Sequence, residues 1–197
     1  MRIREARQDD VAAVAGLLHE SSPRIYDRFA GNRERALRIL EAAFAEPGTV
    51  ASRDVIRVLD LDGRPAAAAM AAFPIAEGPD RARGFIRLAM RQVPFWLWLR
   101  TLRLYSAGTR VAREDALYID ALATDPELRR RGAARALLEE AEREAEQRGL
   151  RAVTLDTTLD NEAARALYAS AGFDEVAYRS PTRTMPGFVA LLKPLGR

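Results

Sequence analysis

Between Leu117 and Thr157 the hydrophobic pattern changes period twice, and that change is the tightest constraint on the fold. Leu117 to Thr124 reads as a strand. Ala134, Leu137, Leu138, Ala141 and Ala145 then form a helical stripe that Gly149 stops, and Ala152 to Thr157 reads as a second strand. Strand, helix of about 16 residues, strand is a βαβ unit, whose crossover brings the chain back so that the two strands run parallel. The remaining segments must be built onto that unit. Met1 to Ala6 alternates as a short strand, and Gln8-Asp9-Asp10 supplies an N-cap for a helix carrying Val11, Val14, Leu17 and Leu18. Arg33 to Ala45 is a second helix, ended by Pro47-Gly48. Val55 to Leu61 and Ala66 to Phe73 flank Asp62-Gly63, a tight hairpin turn. A helix over Asn161 to Ala171 closes at Gly172, and strands follow near Glu175-Val176-Ala177 and over Phe188 to Leu192. Antiparallel hairpins joined to a parallel unit predict a mixed sheet, α/β or α+β, in a single domain over residues 1–197.

The connection inside the βαβ unit carries the chemistry. Asp125-Pro126-Glu127-Leu128-Arg129-Arg130-Arg131-Gly132-Ala133-Ala134-Arg135 runs from the first strand into the helix. A helix start leaves backbone N–H groups unpaired and carries partial positive charge. Small residues at Gly132, Ala133 and Ala134 admit an anion to that backbone, and four arginines surround it. The loop is neither a P-loop nor a Rossmann fingerprint, since GxxxxGK[ST] and GxGxxG are both missing.

Arg129-x-x-Gly132-x-Ala134 resembles the Q/R-x-x-G-x-G/A signature of the GNAT N-acyltransferase superfamily. Leu122-Ala123-Thr124-Asp125-Pro126 looks like that family's strand leading into the loop. Asn161 to Tyr168, followed by Ala171-Gly172-Phe173, looks like its N-x-x-A-x-x-x-Y…G-F segment. The resemblance spans Leu117 to Phe173. It implies a GNAT-like twisted mixed sheet flanked by helices and splayed beside the βαβ unit to admit acetyl-CoA. It also implies acetyl transfer from acetyl-CoA to a primary amine of a small molecule, peptide or protein by direct attack in a ternary complex. Carried over by position, Arg129, Arg130, Arg131, Gly132, Ala133 and Ala134 bind the diphosphate, with Arg135 helping. Leu122, Ala123 and Thr124 hold the pantetheine and thioester, Asn161 contacts the pantetheine arm, and Tyr168 protonates the departing thiolate. Asp120, on the strand before the loop, is the candidate base or amine-orienting carboxylate, with Glu162 and Asp156 as lesser alternatives. The alternative function on the same fold is a non-catalytic acyl-CoA-binding sensor.

Composition agrees with this chemistry. The absence of cysteine excludes disulfides, thiolate metal sites and a cysteine acyl-enzyme, and the single histidine, His19, makes a histidine metal cluster or a Ser-His-Asp triad hard to build. Amine attack on a thioester needs no metal and no enzyme nucleophile; it needs a neutral amine, donors on the oxyanion and an acid for sulfur. Net charge is +3 with 31 basic residues, of which only Lys193 is lysine, and these are spread among 28 acidic ones. That pattern carries no nucleic-acid motif. No apolar run reaches the about 18–20 residues of a membrane span, and Met1 leads into Arg2-Ile3-Arg4 without a signal peptide, so the expected location is the cytoplasm. His19 is expected on a helix surface near the acceptor side. A homodimer through the C-terminal strands or inserted helices is left open.

Residues 75–114 exceed what a plain connection requires and read as a helical insertion before the CoA-binding strand. Arg83 to Val93 and Phe95 to Tyr105 form two helices broken at Pro94, with Phe85, Leu88, Trp96, Leu99 and Leu102 facing the body and Arg87, Arg91, Arg100 and Arg103 facing out. Such helices pack over the acceptor cleft and shape its specificity. Replacing Trp98 by alanine is then expected to change the acceptor KM while acetyl-CoA affinity stays constant, which steady-state kinetics and calorimetry together check.

Overall fold

A computed structural model describes residues 1–93, 113–182 and 185–196. Its strands are β1 (Arg2–Glu5), β2 (Ile56–Leu61), β3 (Arg64–Pro74), β4 (Ala116–Thr124), β5 (Ala152–Thr158), β6 (Asp174–Arg179) and β7 (Phe188–Pro194). Its α-helices are α1 (Val11–Ser21), α2 (Pro23–Ala30), α3 (Arg33–Ala45), α4 (Gly78–Met90), α5 (Ala133–Gln147) and α6 (Glu162–Ser170). The strands form one sheet in the order β1-β2-β3-β4-β5-β7-β6. Within it β4 and β5 run parallel and the other neighbours antiparallel, the mixed sheet expected of hairpins joined to a βαβ unit. Asp62 and Gly63 both have positive φ, 50° and 77°, the paired left-handed conformation that a two-residue hairpin turn demands.

Each face of the sheet has its own core. Ala69, Ala71, Phe73 and Ala121 pack beneath α1 to α4 with Val14, Leu18, Leu40, Phe44 and Phe85. Ala68, Met70, Leu117, Ile119, Val153 and Leu155 face α5 and α6 through Leu137, Leu138, Ala141 and Tyr168. Burying each leucine or phenylalanine contributes about 1.5–3 kcal/mol. β3 is buried on both faces, and its alanines let helices approach from either side.

Several expectations need correction. Pro23–Ala30 is a helix that the sequence did not reveal, because its four apolar residues, Ile25, Tyr26, Phe29 and Ala30, are too few for a periodic pattern. His19 is buried rather than surface-exposed: its Nε2–H donates to Asp27 Oδ1 at 2.8 Å and its ring stacks on Tyr26. The first helix of the 75–114 insertion begins at Gly78, five residues before Arg83, with Pro79 in its first turn. It packs beside α3, with Phe85, Leu88 and Ala89 buried and Arg87 and Arg91 exposed. Gly84 lies against the Gly48 carbonyl, where a Cβ would stand 2.6 Å from that oxygen. This helix is thus part of the core. The expected helix over Phe95 to Tyr105, with Trp96, Trp98, Leu99, Leu102, Arg100 and Arg103, lies outside the described residues. Among those described, no helix is long and apolar enough to cross a membrane.

Asp10 starts α1 without capping it through its side chain. Its carboxylate instead accepts from Arg4 at 2.6 and 2.9 Å and from the Arg7 N–H at 2.6 Å. Arg4 also reaches Asp60 at 2.8 and 3.1 Å, which ties β1, β2 and the start of α1 together. The side chains of Arg4 and Asp10 are 11% and 7% exposed, so this pair is nearly dry. Removing one partner strands the other, and Asp10→Ala is expected to cost about 3 kcal/mol in urea unfolding. The Arg4 hydrogen bonds hold Asp10 and Asp60 below the usual carboxylate value. Their stabilisation is therefore present above about pH 4 and is lost as pH falls through the depressed folded values, so unfolding midpoints are expected to drop on acidification, less so in Asp10→Asn.

Candidate active site

The site begins where two parallel strands part. β4 and β5 pair from Ala116↔Ala152 to Ile119↔Leu155, and no pairing between them follows, although β4 continues to Thr124 and β5 to Thr158. Each keeps its outer neighbour: β4 stays on β3 to Thr124↔Ala68, and β5 stays on β7 to Thr158↔Phe188. The result is a wedge with bare backbone edges. A cleft of about 750 Å³ lies there, a size suited to a small-molecule ligand. Its walls include Leu122, Ala123 and Thr124 of β4, Thr158 of β5, the start of α5, and Asn161, Ala164, Leu167 and Tyr168 of α6 and its cap.

The loop into α5 lies at one end. Pro126–Leu128 makes a 3-10 turn, capped by Asp125 Oδ1, which accepts from the Glu127 N–H at 2.9 Å. Arg130 and Gly132 then both take positive φ, 62° and 83°, and Gly132 is the N-cap of α5. Glycine adopts that conformation freely, whereas a side chain at 132 would be strained. Among the described residues no protein acceptor takes the N–H groups of Arg129 to Ala134. Those free donors at a helix start make an anion cradle. Arg129, Arg130, Gly132, Ala133, Ala134 and Arg135 all line the cleft. Arg129 reaches Glu20 across the mouth at 3.4 Å, and Arg135 donates to the Ser170 carbonyl at 2.9 Å. Arg131 departs from the set: it does not line the cleft, and its guanidinium pairs with Asp62 at 2.8 Å, because the left-handed turns at 130 and 132 leave it on the hairpin side.

Asn161 has two tasks. Its Oδ1 accepts from the Ala164 N–H at 3.2 Å, capping α6, while the residue also lines the cleft. Tyr168 is 7% exposed, its ring is tilted on Phe173 at 6.0 Å, and burial raises its pKa to about 12. The phenol therefore stays protonated across the physiological range. Thr124 adds a buried Oγ1 with no hydrogen-bond partner among the described residues.

Asp120 is set deeper, outside the cleft lining, at a β-bulge. The β3–β4 register shifts between Ala71↔Ala121 and Ala72↔Ile119, which leaves Asp120 as the extra residue. The bulge reverses the alternation, so that Ala121 and Ala123 pack with the α1–α4 core while Ile119 and Leu122 pack with the other. Simple alternation from the sequence leaves the facing of Asp120 open for this reason. Burial first, and Asp156 second, raise Asp120 to about 7. Burial raises Asp156 to about 6, opposed by the Tyr118 hydroxyl, which donates to Asp156 Oδ2 at 3.1 Å.

Sequence reasoning missed the wall formed by Glu20, Ser21, Ser22, Arg24 and Ile25, since nothing local marks the α1–α2 junction as facing β4. It also missed Tyr118, which a period of two would have placed beside Asp120.

A family model described as the acetyltransferase (GNAT) family matches residues 34–173. The [ribosomal protein bS18]-alanine N-acetyltransferase of Escherichia coli K12 is 41% identical over 73 residues, which are 37% of this chain and 49% of that protein. The chain thus spans about half the length of the curated relatives it matches. An N-acetyltransferase from Staphylococcus aureus Mu50 superposes with a TM-score of 0.73 at 20% identity, covering 98% of this chain and all of that one. The Escherichia coli ribosomal-protein-S18-alanine N-acetyltransferase gives 0.58 at 20% identity over 100% of this chain and 94% of that one. At such identities these two likenesses establish the fold, and the family match extends over more than half of the sequence. The chain belongs to the acetyltransferase (GNAT) family.

Proposed function

We propose that residues 1–197 form one acetyltransferase domain that moves the acetyl group of acetyl-CoA to a primary amine by direct attack in a ternary complex, in the cytoplasm. The observation that carries this reading is the coincidence of a free-amide anion cradle, an unpaired strand edge and a buried phenol in one cleft. The cradle from Arg129 to Ala134 suits the diphosphate, with Arg130 and Arg135 adding positive charge. The bare edge of β4 at Leu122 to Thr124 suits the amide-rich pantetheine arm, and an N–H there is placed to polarise the thioester carbonyl.

Asp120 is proposed to act on the amine side, in base catalysis or in orienting the amine. A carboxylate titrating near neutrality is matched to removing a proton at working pH. Tyr168 donates to the leaving sulfur. At about 12 it is a weaker acid than a free phenol, so its proton follows as the carbon–sulfur bond breaks rather than before. The matched relative is named for acetylating an alanine of a ribosomal protein, which supports a peptide α-amine among the acceptors to be tried first.

Calorimetry with acetyl-CoA is expected to show one-to-one binding. Gly132→Glu should abolish it, since a carboxylate in a left-handed position would both strain the loop and repel the diphosphate. Arg131→Ala should leave affinity within about twofold, because that side chain is committed to Asp62 at the surface. Tyr168→Phe should lower kcat by about 10²-fold with little change in acetyl-CoA affinity, read by thiol release against amine acceptors. Binding that survives Gly132→Glu would place the donor elsewhere.

A further inference from the structure

Ile119 and Leu155 form the last rung between β4 and β5, so Asp120 and Asp156 are the next residues on the two parting strands. The β4 bulge falls at Asp120, and the charge of Asp156 reaches Asp120 across the fork and raises it. Tyr118 from β4 donates to Asp156, and Tyr26 from α2 lies in the same field, its phenol raised by burial and by Asp120. Among the described residues no arginine or lysine acts on either carboxyl. Two carboxylates so placed resist ionising together.

The fork also lacks a donor. Asp156 Oδ1 is buried with no hydrogen-bond partner among the described residues. A buried acceptor left unpaired carries a desolvation penalty, which a bound donor would relieve. The Tyr118 ring, set edge-on to Phe73 at 5.8 Å, adds an aromatic wall of the kind that attracts cations. The open end of this fork is the cleft, where Leu122, Thr124 and Thr158 stand two or more residues further along the same strands.

We propose that Asp120 and Asp156 act as one proton-sharing pair that takes the acceptor as an aliphatic ammonium ion and removes its proton, so that neither carboxylate is the base alone. This rests on the acetyl-transfer reading. In the step, one N–H proton of the ammonium passes to the singly ionised pair, directly or through water. The freed nitrogen lone pair forms the carbon–nitrogen bond at the thioester carbonyl. As the carbon–sulfur bond breaks, its electrons go to sulfur, which takes the Tyr168 proton. The proton lost by nitrogen as the amide forms restores the phenol, and the proton on the pair leaves to water. The sum is ammonium plus thioester giving amide, thiol and one proton. An amine uncharged at working pH gains nothing from such a pair.

The test is a carboxyl 13C NMR titration of aspartate-labelled protein as the wild type and as Asp120→Asn and Asp156→Asn, substitutions that keep shape and remove charge. In Asp156→Asn the Asp120 step is expected to fall by about one unit or more, and in Asp120→Asn the Asp156 step to fall likewise. Steps that stay in place when the neighbour is neutral overturn the pair. The kinetic arm compares kcat/KM for an alkylamine: the double variant should lose no more than the worse single one. Losses that multiply mean independent groups and overturn the proposal, as does an aniline acetylated as well as an alkylamine. Absence of acetyl-CoA binding would refute the acetyl-transfer reading separately, while the NMR result still decides the pair.

Discussion

The loss of pairing between β4 and β5 beyond Ile119 and Leu155 is the constraint on which the site depends. A parallel ladder that continued would have satisfied both strand edges and closed the space. Instead β3 holds β4 and β7 holds β5, and the two halves of the sheet diverge with their inner edges bare. Unpaired backbone groups are tolerable where solvent or a ligand satisfies them, and an open cleft permits both. The same divergence places the start of α5 at the mouth, since the loop from β4 enters that helix directly.

The cleft and the fork are oppositely charged. Arg129, Arg130 and Arg135 stand with unpaired amides around the start of α5, while Asp120 and Asp156 lie behind the parted strands without a basic partner. A bound molecule anionic at one end, with an amine delivered at the other, would complement both. The proposed donor and acceptor have that distribution. Tyr168 answers to a third environment, where burial alone raises its phenol. The raised carboxyls of Asp120 and Asp156 and the raised Tyr168 phenol thus all follow from where each residue sits relative to water once the sheet has opened.

Some structural contacts lie away from the cleft, while Asn161 and Tyr168 serve both the fold and the cleft. The buried Arg4–Asp10 pair and Asp60 anchor the outer edge of the sheet at β1 and β2. Alanines along β3 let helices pack on both faces, and Ala133 and Tyr168 belong both to the core under α5 and α6 and to the cleft wall. Within the loop Arg131 braces the hairpin through Asp62, while its neighbours Arg130 and Gly132 face the cleft.

Local patterns determined most of the elements. The helix over Arg33–Ala45, the Asp62-Gly63 turn and the strands and helix of the βαβ unit are written in periodicity and turn chemistry, because each element's pattern lies within a few successive residues. The turn into α5 was equally legible, since Gly132 and its small neighbours are contiguous in sequence and Gly132 takes the left-handed N-cap position. The tertiary structure alone decided what depends on distant partners. That Asp120 lies at a bulge is a matter of register with β3, that Asp156 follows the last rung opposite the same fork is a matter of where β5 leaves β4, and that His19 is buried is a matter of Asp27 and Tyr26 folding back from α2. A one-residue shift in strand register reverses which face a side chain meets, and no pattern within a single strand records that shift.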